Sequence, residues 1–301
     1  MKNISIVKFG SQLHNNYDKY SDRDLLVVTD SLIDLKELYD KYTSEGWSVS
    51  AYTYSKLKYL SKIGSLFIDH LNICSVTLTD SNGMFEAILK AHKTKKLYEN
   101  DILGAIEYFK ILATIPDTTL GYAWFCDCFY VGLRNYLVFK NASCGNLEFS
   151  FLNLIENLLM SGEIRNNEYD ILKELRALKF NYRADILDKL PTKQFIKQLV
   201  AIGKGLVLFN KVEFIQPNLF SEYISGHLLI TKFNGYQRLR LVEGLYCSAN
   251  RNMPIIKNIV SNPQFYASRL LNDSYMLELI DRIQSQDDKE LVQLLLTASN
   301  V

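Results

Sequence analysis

The chain has 301 residues, 48% of them hydrophobic and 22% charged, and its 34 basic and 33 acidic residues leave a formal net charge of +1. That length allows one large domain or two of ordinary size, each with a real core, and the near-zero charge excludes a chain-wide field for nucleic acid or anionic membrane, so anion binding is expected to be local. The five cysteines, Cys74, Cys126, Cys128, Cys144 and Cys247, are scattered without a Cys-x-x-Cys pair, which argues against zinc and for free thiols in a reducing cytosol.

At the N-terminus, "ISIVKF" (4–9) alternates loosely, is rich in β-branched residues and stops at Gly10. Lys8 and Gly10 break the apolar run too early for a signal peptide, so a first strand is expected. "RDLLVVT" (23–29) predicts a second strand buried on both faces. "SLIDLKELYDKYTSEG" (31–46) carries a Ser N-cap, an apolar stripe and a terminal Gly, the marks of a helix. "WSVSAYTY" (47–54) alternates at period two and predicts a third strand. Residues 55–73 have helical spacing weakened by Gly64, so a helix broken there is an equal reading. "SVTLTD" (75–80) predicts a short strand, and a long helical stretch begins at Met84.

From about residue 100 the strand signals fade. Helical patterns run through 101–113, 120–140, 149–161, 167–189, 192–210, 235–249 and 272–297. The expected organisation is a domain over 1–95 followed by a helical domain over 96–301, with a possible hinge or subdivision at 217–226. No stretch is long and apolar enough to span a bilayer; "LVAIGKGLVLF" (199–209) is short and carries Lys204.

One stretch carries chemistry: "VKFGSQLHNNYDKYSDRDLLVV" (7–28). Residues i and i+2 of a strand point the same way, so Asp22 and Asp24 present two carboxylates together while Arg23 points away. Like charges at that spacing need a cation, and hard oxygen ligands suit Mg2+ or Mn2+. Gly10-Ser11, between strand and helix, frees backbone N–H groups and a hydroxyl for an anion. Phosphates on one side and a metal on the other describe a nucleoside-triphosphate site.

The order strand, Gly-Ser, a nine-residue spacer, then "SDRDLLV" resembles the motif of the DNA polymerase beta-type nucleotidyltransferases, closest to the minimal bacterial branch that includes the aminoglycoside nucleotidyltransferases. The likeness is strong over the first thirty residues or so and loose to about residue 90. It implies an α+β fold, with a mixed sheet and helices followed by an all-helical C-terminal domain. It also implies transfer of a nucleoside monophosphate from ATP or another NTP to a hydroxyl, with Gly10 and Ser11 on the triphosphate and Asp22 and Asp24 on the metal. The acceptor is a small molecule, a protein or an RNA end; no membrane and no long nucleic acid are expected, and a cytoplasmic protein, as a possible homodimer, is.

The superfamily adds a third carboxylate, and "WSVSAYTY" has none: Ser50 or Tyr52 stands at its place. Asp69, in "LFIDHLNI", serves if that segment is a strand, with His70 assisting; on a helix it becomes a surface residue. Asp127, in "WFCDCFYVGLRN", shares a helical face with Val131 and Arg134, either as mutual neighbours or facing the nucleotide. Arg176, Lys179 and Arg183 form a basic helical stripe that is either solvated or turned to the triphosphate. The nucleotide-binding candidates are therefore Gly10, Ser11, Arg134, Lys179 and Arg183, and the catalytic ones Asp22, Asp24 and Asp69. "HKTKK" (92–96) reads as a polar linker. No Arg-x4–6-His pattern supports a fused ribonuclease. The alternative is a nucleotidyltransferase-like regulatory or antitoxin-type protein with weak turnover or none.

Overall fold

Ser5, Val7 and Phe9 are buried while Ile6 and Lys8 are half-buried, the period-two alternation of a strand with one face covered more deeply than the other. They form β1 (Ser5–Phe9) of a computed structural model that describes residues 3–13, 19, 20, 22–230, 233–251, 257, 260 and 273–284. The apolar run that follows makes β2 (Asp24–Val28), in which Leu25, Leu26, Val27 and Val28 are all fully buried, as a central strand requires. With β3 (Ser48–Tyr52) and β4 (Ser75–Asp80) these give one sheet in the order β3-β2-β1-β4. The sheet is mixed, since β1 runs antiparallel to β2 and β4 while β2 and β3 are parallel.

Helices pack on both faces. Val7, Phe9, Leu26 and Val28 meet Tyr54, Leu57, Ile68, Leu71, Phe85 and Ile88 from α2 (Tyr54–Lys62), α3 (Leu66–Ile73) and α4 (Met84–Ala91). Leu25, Val27 and Val49 meet Leu35, Leu38 and Tyr42 of α1 (Leu32–Ser44) on the other face. Ser31 caps α1 by accepting from Asp34 N. The 55–73 stretch is a broken helix. Gly64 (φ +68°) divides it, because a Cβ there would lie 2.9 Å from Lys95 N and 3.0 Å from Lys93 O, and because its left-handed backbone suits glycine. The long helix expected from Met84 instead ends at Ala91. His92 turns extended, with its Nδ1 3.3 Å from Ser61 O and its Nε2 3.0 Å from Asp69 Oδ1, and these contacts draw the chain off the helical path.

The chain divides into two compact units, residues 1–100 with 138–153, and residues 101–137 with 154–301. Nothing in the sequence marks the return of 138–153 to the first. The second unit contains α5 (Glu99–Tyr108, but for its first residues), most of α6 (Thr119–Ser143), most of α7 (Phe151–Met160), α8 (Asn166–Arg183), α9 (Lys193–Gly205), α10 (Pro217–Ile230), α11 (Gly235–Ser248) and α12 (Asp273–Gln284). The part of the 272–297 helix past 284 lies outside the described residues. The expectation of an all-helical domain is corrected by β5 (Thr114–Pro116) and β6 (Glu213–Ile215), a parallel pair too short to show alternation in sequence. The expected hinge at 217–226 is helical within α10, which opens on Pro217, a residue suited to a first helical turn.

The end of α9 is closed by Val207 N to Lys204 O at 3.0 Å and Leu208 N to Gly203 O at 2.9 Å, a closure that usually places glycine at the left-handed position. Here the residue is Val207, φ 58°, β-branched and 73% exposed. Val207→Gly relieves the left-handed strain and loses almost no packing. It is expected to stabilise the protein by about 0.5–1 kcal/mol after glycine's extra unfolded-state entropy is subtracted. An unchanged or lower unfolding midpoint in a thermal melt would contradict this.

Candidate functional site

In the β1–β2 ladder Phe9 stands opposite Asp24, and Gly10 follows Phe9. Gly10 has φ +88°, and a Cβ on it would lie 2.4 Å from Asp24 Oδ2. The carboxylate therefore sits against the Gly10 backbone where no side chain fits. Gly10 N donates to Cys74 O at 3.1 Å, and Gly10 O accepts from Leu13 N at 3.1 Å across a 3-10 turn at Ser11–Leu13. The Ser11 side chain, with Asp18 and Ser21, lies outside the described residues.

The strand ladder extends back through Arg23, whose carbonyl accepts from Ser48 N at 2.9 Å. The Arg23 guanidinium lies 4.2 Å from the centre of the Trp47 ring, on the α1 side, and Lys8 approaches the same ring at 5.2 Å. Alternation puts Asp24 on the opposite side, with Phe9, which it faces in the ladder; Asp22 stands two residues before it, ahead of β2. Asp22 is exposed and Asp24 half-buried.

Among the described residues, β3 places no third acid opposite β2. Register places Ser48 opposite Asp24, Ser50 opposite Leu26 and Tyr52 opposite Val28. Asp69 lies on α3, which is a helix, yet it is buried at 3% exposure where a surface position was expected. It accepts from Thr94 Oγ1 at 2.5 Å and stands 3.0 Å from His92 Nε2. His70, beside it, packs edge-on to Phe9 at 5.8 Å and stacks on Phe149 at 4.6 Å. Burial, then Glu148, pushes the Cys74 thiol up to about 11, which favours the protonated thiol over the thiolate. Among the described residues no three of His, Cys, Asp and Glu gather as a metal-holding group. What this chain offers a divalent ion is two hard carboxylates, a donor set that suits Mg2+ or Mn2+ when phosphate and water complete the shell.

The candidates in the second unit form a different assembly. Asp127 is fully buried on α6. Its Oδ1 accepts from Arg183 Nε at 2.8 Å, and its Oδ2 accepts from Arg183 Nη2 and from Arg240 Nη2, the latter at 2.5 Å. Glu243 lies 3.1 Å from Arg240 Nη1 and 3.5 Å from Arg183 Nη1, and accepts from Tyr182 Oη at 3.0 Å. Burial opposes the charge on Asp127, but Arg183 and Arg240 outweigh it and hold the carboxyl well below the usual carboxylate range. The Arg183 guanidinium is thus committed within the helices. Arg176 is buried, and the Lys179 ammonium lies 5.6 Å from the Tyr130 ring centre, so the basic stripe is not one face turned to a single ligand. Arg134 is half-buried on α6. Arg240 and Glu243 were missed in the sequence; two opposite charges at i and i+3 inside the apolar run of α11 were the signal.

Comparison with protein-family models, curated proteins and solved structures finds no match.

Two outcomes follow from this geometry. Gly10→Ala places a methyl against the Asp24 carboxylate in a left-handed backbone, so it is expected to lower stability by about 1–2 kcal/mol; a melt indistinguishable from wild type would contradict the close approach. Asp127→Asn leaves two buried guanidiniums undercompensated and is expected to cost about 3–5 kcal/mol. A depressed carboxyl adds stability that is present above its unfolded value near pH ~4 and lost as pH falls toward the folded one. The variant's denaturation free energy should therefore decline less than wild type's on acidification below that point, and parallel curves would argue against the pairing.

Proposed function

We propose that the protein is a metal-dependent nucleotidyltransferase that moves a nucleoside monophosphate from an NTP, with ATP as the first candidate, to an acceptor hydroxyl. The observation that carries this reading is the approach of the Asp24 carboxylate to the side-chain-free backbone of Gly10. A metal-binding acid and a phosphate-accepting turn then lie next to each other.

In this reading Asp22 and Asp24 would hold the divalent ion, which when bound neutralises triphosphate charge and draws the substrate oxygens into place. The turn after Gly10 would bind the phosphate tail through its backbone N–H groups; Gly10, whose own N–H is donated to Cys74 O, would contribute the left-handed bend that presents them. The acceptor oxygen attacks the α-phosphorus, the bond from that phosphorus to the bridging oxygen breaks, pyrophosphate leaves with the electron pair, and the hydroxyl proton passes to solvent. Arg23 stays outside this chemistry, because it lies over Trp47 on the other side of the sheet.

A second reading, a nucleotide-binding regulator with little turnover, is favoured by the serines along β3 and by the engagement of Asp69 with His92 and Thr94. The neighbouring strand β3 then supplies no carboxylate base to the pair, and general-base catalysis is worth about 10²–10⁴-fold in rate.

Isothermal titration with ATP tests the shared premise. Wild type is expected to bind ATP only with Mg2+ present, and Asp22→Asn with Asp24→Asn to abolish that heat while leaving the thermal melt in place. Magnesium-dependent binding retained by the double variant would remove the site.

A further inference from the structure

The near-neutral chain conceals a local charge imbalance. Residues 54–98 contain seven lysines and three acids. The acids are engaged elsewhere: Asp69 with His92 and Thr94, Asp80 with Ser5 Oγ and the N–H groups of Phe85 and Glu86, and Glu86 with Lys90 at 2.7 Å. Lys58, Lys62, Lys93 and Lys96 are exposed, and no acid pairs with them among the described residues.

The fold brings these lysines together. Lys58 and Lys62 are one helical turn apart on α2. Gly64, at the end of that helix, admits the backbone of Lys93 and Lys95 against the α2–α3 turn. His92 and Thr94 reach inward to Asp69 and fasten the connector, leaving Lys93 between them on the outer side. Tyr59, between the α2 lysines in sequence, is 55% exposed, and the Lys56 ammonium lies 5.3 Å from its ring centre.

Gathered cations repel one another, and the repulsion is relieved when they neutralise successive phosphates. An exposed aromatic ring among them offers a base a stacking surface, the pairing used for single strands. A lipid surface would instead call for a continuous free apolar helix face, whereas Tyr54 and Leu57 of α2 are buried in the core and the exposed Ile63 and Leu97 beside these lysines belong to two separate segments, neither of them inside a helix. We propose that this surface binds single-stranded RNA, whose terminal hydroxyl is the acceptor. The acceptor role rests on the transferase reading; the binding does not.

Fluorescence anisotropy with a short labelled single-stranded RNA, without nucleotide or magnesium, tests the binding. Saturable binding is expected, weakening about twenty-fold for a roughly three-fold rise in salt if about four phosphates are contacted. Lys58→Ala, Lys62→Ala, Lys93→Ala and Lys96→Ala together should weaken it by about ten-fold or more and flatten the salt dependence. Lys36→Ala with Lys41→Ala, exposed positions on α1, should leave it unchanged. Absence of RNA binding, equal binding by the quadruple variant, or binding to anionic lipid vesicles in place of RNA would each overturn the proposal. The quadruple variant should still bind Mg·ATP like wild type, which keeps this test separate from that of the aspartate pair. RNA that binds but is not extended when Mg·ATP is added would remove the acceptor role and keep the surface.

Discussion

The account of the first unit rests on one steric fact: the Asp24 carboxylate occupies the space a side chain on Gly10 would need. Several features converge on it. Antiparallel pairing sets Phe9 opposite Asp24, so the residue after Phe9 falls beside that acid. The left-handed backbone of Gly10 turns the chain off the strand into the 3-10 turn, and the bond from Gly10 N to Cys74 O ties that turn to the start of β4. The cation–π contact of Arg23 with Trp47 holds the intervening basic residue on the other side of the sheet.

The second unit solves a different problem. Arg240 and Asp127 are both fully buried, and isolated charges there would be prohibitive. They are tolerated because Arg183, Arg240, Asp127 and Glu243 balance in sign and Tyr182 adds a hydrogen bond. Such a network costs desolvation and returns directionality: it lets α6, α8 and α11 meet in one arrangement only if every member finds its partner. Cys128 and Cys247 lie within it, and burial pushes both thiols up to about 12, which keeps them protonated.

The legible parts of the sequence were those with a local cause. The alternation of "ISIVKF", the apolar run after Asp24, the Ser31 cap and the break at Gly64 each reflect forces acting over a few residues, and each element appears where that force predicts it. The opposite facing of Arg23 and Asp24 is the part of that stretch readable from period two alone. Parts that depend on distant partners were not legible. The stop of α4 at Ala91 is set by Ser61 and Asp69, remote in sequence from His92. Helical spacing offers Asp127 the neighbours Val131 and Arg134 on its own helix, whereas its ion-pair partners stand on α8 and α11. The strands β5 and β6 carry three residues each, too few for a periodic signal. The "HKTKK" segment read as a linker because its inward and outward residues separate only once Asp69 is in place.

The central claim concerns where a polyphosphate and its metal sit. A crystal structure of the protein with Mg2+ and a non-hydrolysable ATP analogue tests it most directly. The account predicts the ion coordinated by oxygens of Asp22 and Asp24 at about 2.0–2.1 Å, with the phosphate tail against the backbone at Gly10. An analogue bound elsewhere, or an ion that touches neither aspartate, would contradict it.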